Sequence, residues 1–144
     1  MKKIIDVHFP GGKKVDARIG DMLVRTDQAK ENGGEETAPE PFQLFLASIA
    51  TCAGIYALEF CQAREIPAQG MALTLSYEFD AKRQICERLN IDLKLPAGFP
   101  ERYKKAVVRV MNLCSVKKSI LQPPEFVITA SGGEQSVSSD PLDL

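Results

Sequence analysis

The chain has 144 residues, of which 44% are hydrophobic and 26% charged, with a formal net charge of -1. That length suits one domain with a core of its own, and the composition excludes a disordered polyelectrolyte. The near-zero net charge gives no electrostatic footprint for nucleic acid, so no nucleic-acid partner is expected.

Residues 1–144 read as a single domain. Ile4 to Phe9 predicts a first strand, and Pro10-Gly11-Gly12 a turn. Val15, Ala17 and Ile19 then alternate with polar neighbours, and Met22 to Thr26 follows Gly20-Asp21 as a third short strand, giving an antiparallel meander. The start MKKIIDVHF turns polar too soon for a signal peptide, and no apolar run of transmembrane length is expected. A cytoplasmic protein without a membrane partner is the reading. Residues 27–41, rich in Gly, Pro and charge, predict a long loop, either a solvated spacer or arm or the lining of a site.

From Pro41 the pattern changes. PFQLFLASIATCAGIYALEFCQAREI contains Gly54 but no further Gly or Pro until Pro67. Pro41 suits a first helical turn, and about 24 helical residues would span roughly 36 Å. Apolar residues occupy most azimuths from Phe42 to Phe60, so this central helix is expected to be buried nearly all round, by a sheet and by a second subunit. Gly54 suggests close packing or a bend. Met71–Phe79 and Ile85–Leu95 alternate with period two and predict a hairpin. A second helix starts at Pro100 and carries Tyr103, Val107, Val110 and Cys114 on one stripe, with Lys104, Lys105 and Arg109 off it. Ser115 to Leu121 adds a short helix, Phe126 to Ala130 reads as a last strand, and the tail from Ser131 is expected to be loose. The fold class is therefore α+β.

Four cysteines, Cys52, Cys61, Cys86 and Cys114, and a single histidine, His8, are present. No close cysteine pair suggests a zinc site, and no metal or other cofactor is expected. Cys52 and Cys61, nine positions apart, point to opposite sides of one helix and lie about 13 Å apart along it. Cys61 reads as space-filling, and Cys86 as a lone thiol near a sheet edge. Cys52 and Cys114 each lie on the inward side of a helix, where either two buried fillers or a reactive pair fits the pattern. A reactive thiol needs a lowered pKa. Cys114 has the start of the short helix beside it. Cys52 sits mid-helix, so its cation is sought among Lys13, Lys14, Arg18 and Arg25, with Glu59 as an orienting acid.

The glycine-ended first hairpin, the long loop, PEPFQLFLASIATCAGIYALEFC and the later NLCSVKKSIL together resemble the OsmC/Ohr family of osmotically inducible and organic-hydroperoxide-resistance proteins. The wording around Cys52 is most similar to a less characterised OsmC-like branch. The resemblance implies an antiparallel sheet wrapped around a long central helix in an intertwined homodimer. It implies a cysteine-based peroxidase of organic and possibly inorganic hydroperoxides, with Cys52 peroxidatic and Cys114 resolving, reduced by an external dithiol and needing no cofactor. The alternative is a non-catalytic or redox-sensing relative that binds a small apolar or thiol ligand. The chain departs from the peroxidases at two places. Phe42 stands where they carry a supporting glutamate, leaving Glu40 as the nearest acid. Lys13-Lys14 follow the glycine pair where an arginine is expected, with Arg18 and Arg25 further on. Phe42, Phe45 and Tyr56 are the candidates for an apolar pocket mouth.

Overall fold

The structure, a computed structural model, describes residues 1–133. It is an α+β fold with two antiparallel sheets and one long apolar helix. β1 (Asp6–Gly11), β2 (Lys14–Ile19) and β3 (Met22–Val24) form the first sheet in the order β1-β2-β3. α1 (Pro41–Ala63) follows, then the hairpin of β4 (Ala72–Asp80) and β5 (Ile85–Lys94). A 3-10 turn at Glu101–Tyr103 leads into α2 (Lys104–Met111), and α3 (Ser115–Leu121) closes the sequence of elements.

α1 forms where the sequence predicts. Pro41 occupies its first turn, and the Glu40 backbone N–H donates to Gln43 Oε1 at 2.9 Å, half of a capping box. At its other end Glu65 adopts a left-handed φ of 52°. The Ile66 N–H then returns to the Cys61 carbonyl at 2.9 Å and the Glu65 N–H to that of Gln62 at 3.2 Å, the Schellman pattern. That turn drops Ile66 into the core, where it joins Ala57, Phe60 and Val107 with Met71, Leu93, Leu95, Phe99 and Tyr103. Phe60 meets Tyr103 edge-on, ring centroids 5.7 Å apart, and the Arg64 guanidinium lies 3.6 Å over the other side of the Phe60 system. The core therefore sits at the C-terminal half of α1, between α2 and the hairpin.

β4 and β5 keep the expected alternation, with Leu73 and Leu75 turned toward α1. A bulge near Glu87 shifts the register, since Glu78 faces Arg88 while Phe79 faces Cys86. The extra residue puts Cys86 on the inner, half-buried side with Leu89 and Leu93 despite its charged neighbours. The α2 stripe is met in part: Val107 is buried, Val110 and the preceding Tyr103 are half-buried, and Lys104, Lys105 and Arg109 are exposed, but the helix ends at Met111, so Cys114, though buried, lies beyond it after a turn.

Within this chain α1 is buried on one side, through Leu46, Ile49, Ala53, Ala57, Phe60 and Cys61, while Phe42, Phe45 and Ile55 remain exposed, on faces where the sequence reading looked to a second subunit for cover. Three expectations are corrected. The sheet expected to wrap it is two separate sheets, and the strands of the meander pack mainly on one another. Phe126–Ala130 is not a strand: no neighbouring strand offers it a ladder, and Phe126, Val127 and Ile128 are 81%, 76% and 92% exposed. By length and composition α1 is long and apolar enough to cross a membrane, contrary to the sequence reading, because small apolar residues dilute its few polar ones. It serves here as a core helix, packed by α2, α3 and β4. The tail expected to be loose lies, from residue 134 on, outside the described residues.

The loop at 27–41 is more ordered than its composition suggests. The buried Asp27 carboxylate accepts hydrogen bonds from the Gln28, Glu35 and Thr37 amides and from the Thr37 hydroxyl at 2.7 Å. These donors hold its pKa down at about 2, the Thr37 hydroxyl contributing most. Gly34 is required inside this wrap, because a Cβ there would fall 1.9 Å from the Gln28 carbonyl oxygen. The Ala29 N–H donates to Glu40 Oε1 at 3.1 Å, which ties the loop to the start of α1.

Candidate functional site

α1 carries Cys52 at mid-length, half-buried on the side that meets α3. α2 ends at Met111, and the amides of Leu113 and Cys114 fold back onto the carbonyls of Val110 and Met111. This tight turn places Cys114, 1% exposed, as the N-cap of α3. Its sulfur accepts the Lys117 N–H at 3.4 Å, taking the role that Ser, Asp or Asn usually fills. The sequence expectation of a Cys114 thiol at the start of the short helix is met.

Cys52 and Cys114 form a nearby pair whose thiols influence one another, and Cys52 Sγ lies 3.7 Å from the Ser115 hydroxyl. All four cysteines are free. Burial alone pushes the Cys52 thiol up, but the Cys114 thiol, the Val116 amide and the Ser115 hydroxyl and amide outweigh it and hold its pKa below the ordinary value. Cys114 moves the opposite way. Burial and the neighbouring Cys52 thiol raise it more than the Lys117 and Val116 amides lower it. The two thiols titrate as an interacting pair. Cys61, fully buried, is pushed up by burial, in keeping with a filler.

The groups that lower Cys52 were not found from the sequence, which looked for a distant cation. They sit beside Cys114 itself, in Ser115 and the amide of Val116. A cysteine followed by serine at a helix start was the available signal. The cations stand elsewhere. Lys13 is in the β1–β2 turn, Arg18 lies in β2 opposite Asp6 and Leu23, and Arg25 follows β3 beside Lys14, Asp16 and Thr26. Among the described residues none of them bonds to Cys52.

The pocket candidates separate too. Phe42 is ten residues before Cys52, about 15 Å along the helix. Its ring centroid lies 5.6 to 6.3 Å from those of Phe45, Phe79 and Tyr77, in tilted and edge-on contacts beside Glu40 and away from the thiols. Position 42 is thus out of contact with the Cys52 thiol of the same chain. Tyr56 and Glu59, one and two turns after Cys52, line a groove of about 260 Å³ with Phe60, Arg64, Val110 and Leu113. Of the named pocket residues, Tyr56 is the one on the thiol side.

Cys52 at the middle of α1 and Cys114 at the start of α3 make a nearby cysteine pair consistent with a redox role. Residues 33–129 match the family described as OsmC-like protein, more than half of the chain. The protein belongs to that family. No curated protein matches the sequence. Among solved structures, a candidate osmotic stress induced and detoxification response protein from Psychrobacter arcticus is 19% identical with a TM-score of 0.72, covering 83% of this chain and 88% of its own. An organic hydroperoxide resistance protein OsmC from Legionella pneumophila is 21% identical with a TM-score of 0.57, covering 83% and 89%. A candidate organic hydroperoxide resistance protein from Vibrio cholerae, with captopril bound in one of its active sites, is 18% identical with a TM-score of 0.53, covering 83% and 85%. At these identities the likeness is one of fold.

Proposed function

We propose that the protein is a cytoplasmic, homodimeric thiol peroxidase for organic hydroperoxides, with Cys52 peroxidatic and Cys114 resolving. The observation that carries this reading is geometric: Cys114 caps α3 where that helix meets α1, and the adjacent Ser115 hydroxyl lies 3.7 Å from the Cys52 sulfur. The Cys52 thiolate attacks the terminal peroxide oxygen. The O–O bond breaks, the alkoxide takes a proton and leaves as the alcohol, and Cys52 becomes a sulfenic acid. The Cys114 sulfur then attacks the Cys52 sulfur, water leaves and a disulfide forms, which an external dithiol reduces by exchange. The groove beside Tyr56 and Leu113 would take the apolar part of the substrate.

A dimer would cover the open face of α1 and the uncovered meander, and could bring Lys13, Arg18 or Arg25 of a second copy toward Cys52. Reduced protein mixed with a slight excess of an alkyl hydroperoxide should lose two thiols and gain a Cys52–Cys114 disulfide, read by peptide mass spectrometry. Cys114→Ser should stop at a sulfenic acid that a 1,3-diketone traps. Peroxide loss unchanged in Cys52→Ser would overturn the assignment.

One finding favours a second reading, a family member that binds a small molecule without turning it over. The Vibrio cholerae protein holds captopril in an active site. Negligible peroxide turnover with tight retention of a small apolar or thiol ligand would select that reading.

A further inference from the structure

We infer that the Ser115 hydroxyl is a dedicated hydrogen-bond donor to the Cys52 thiolate, one that activates the nucleophile and aims it at Cys114. The inference rests on the reading of Cys52 as the nucleophile and goes beyond the cysteine pair.

Three observations meet at this atom. Ser115 Oγ lies 3.7 Å from Cys52 Sγ, across the α1–α3 contact and 63 positions away in sequence. Second, the hydroxyl is released from the task serines usually perform at a helix start. Ser115 is the first residue of α3, and the cap position before it is held by Cys114, whose sulfur takes the Lys117 N–H. Had the order been Ser-Cys, the serine would cap the helix and the thiol would point outward from it. With Cys before Ser, the sulfur caps and the hydroxyl turns to the other thiol. Third, among the described residues the Ser115 hydroxyl makes no other hydrogen bond, whereas the hydroxyls of its neighbours in kind, Ser48, Thr51 and Ser119, each return to a backbone carbonyl three or four positions back.

A neutral thiol and a hydroxyl can each donate to the other. Once Cys52 is deprotonated its sulfur only accepts, so the Ser115 O–H is fixed as the donor and the interaction strengthens with the charge. The contact therefore favours the thiolate over the thiol and fixes Sγ on the side where Cys114 waits. It supplies part of what a cation would otherwise provide.

The test reads the thiolate without reference to peroxide. The full-length reduced protein is alkylated with iodoacetamide from weakly acidic to alkaline pH, and the Cys52 peptide is quantified by mass spectrometry for the wild type, Ser115→Ala, Ser115→Thr and Ser115→Val. The inference expects Ser115→Ala to raise the midpoint by about half a unit and to slow alkylation at neutral pH about threefold. Ser115→Thr keeps the wild-type profile, and its isostere Ser115→Val behaves as the alanine variant. Thr and Val differ in the hydroxyl while sharing shape, so the comparison survives any packing cost of the larger side chain. Equal midpoints for Thr and Val would overturn the inference. Peroxide consumption in the same samples separates the two readings: an inert wild type with a shifted Ser115→Val midpoint removes the peroxidase and leaves the donor. An active wild type with equal midpoints does the reverse.

Discussion

The C-terminal half of α1 and the β1–β3 meander are both rich in apolar side chains, and they end in opposite states. Ala57 and Cys61 are fully buried and Phe60 nearly so, closed over by α2, the hairpin and the turn at Ile66. Val7, Phe9, Ile19, Met22 and Leu23 are all exposed, Phe9 by 79%. The difference is one of available cover. α2 and β5 return to the end of α1 through short connections, while the meander is followed by the Asp27 loop and then by a helix whose nearest face is itself open. One region is complete among the described residues, and the other carries apolar surface that no other described element covers. Open apolar areas of this kind mark interaction sites.

The comparison breaks if the two regions respond alike to loss of apolar area. Phe60→Ala should cost about 3–5 kcal/mol, read as a large fall in Tm and denaturant midpoint, because it empties the middle of the core. Serine at both Val7 and Phe9 should leave the far-UV spectrum of the chain intact. It should instead shift sedimentation at micromolar concentration from dimer toward monomer, each side chain having contributed about 1.5–3 kcal/mol if fully buried by a second copy. A wild type that is already a well-folded monomer would remove the role given to the meander.

Gly54→Ala sharpens the same contrast at the centre of α1. A Cβ at position 54 would meet Leu73 Cδ1 at 3.9 Å, an ordinary contact, so the chain by itself has room for it. Thermal unfolding should show a gain of about 1 kcal/mol from helix propensity. A loss instead would locate a close approach by a second copy at this glycine, the packing that the sequence suggested.

The smallest effect concerns the loop between the two regions. The Asp27 pKa is depressed to about 2, so its contribution is fully present above the ordinary carboxylate pKa and is lost as pH falls toward about 2. Hydrogen exchange at the Glu35 and Thr37 amides should rise across that acid window in the wild type. Asp27→Asn should flatten that dependence, with faster exchange already at neutral pH.

Much of the fold was legible because it follows from local periodicity. Pro41 and Ile66-Pro67 bracketed α1, alternation marked β4 and β5, and Val107 and Val110 named the inward face of α2 before any contact was known. Phe126–Ala130 shows the limit. Strand propensity states what a segment tolerates, while a strand exists where another edge pairs with it. The Asp27 loop shows the converse, since a polar, glycine-rich stretch reads as unstructured until one carboxylate is seen gathering four donors.

The site divides along the same line. The sequence by itself placed Cys52 on the inward side of α1, because side-chain direction on a helix is set by spacing alone, whereas the stripe predicted to carry Cys114 stops with α2 at Met111 and a turn sets the direction of that thiol. The sequence also carried the family resemblance. Only the tertiary structure decided that Cys52 and Cys114 come close together, that Ser115 Oγ lies 3.7 Å from the Cys52 sulfur, and that Phe42 and Phe45 gather with Phe79 and Tyr77 instead. A thiol's pKa depends on what lies within a few ångströms of its sulfur. Those neighbours are 62 to 64 positions away along the chain, and only the packing of α3 against α1 brings them there.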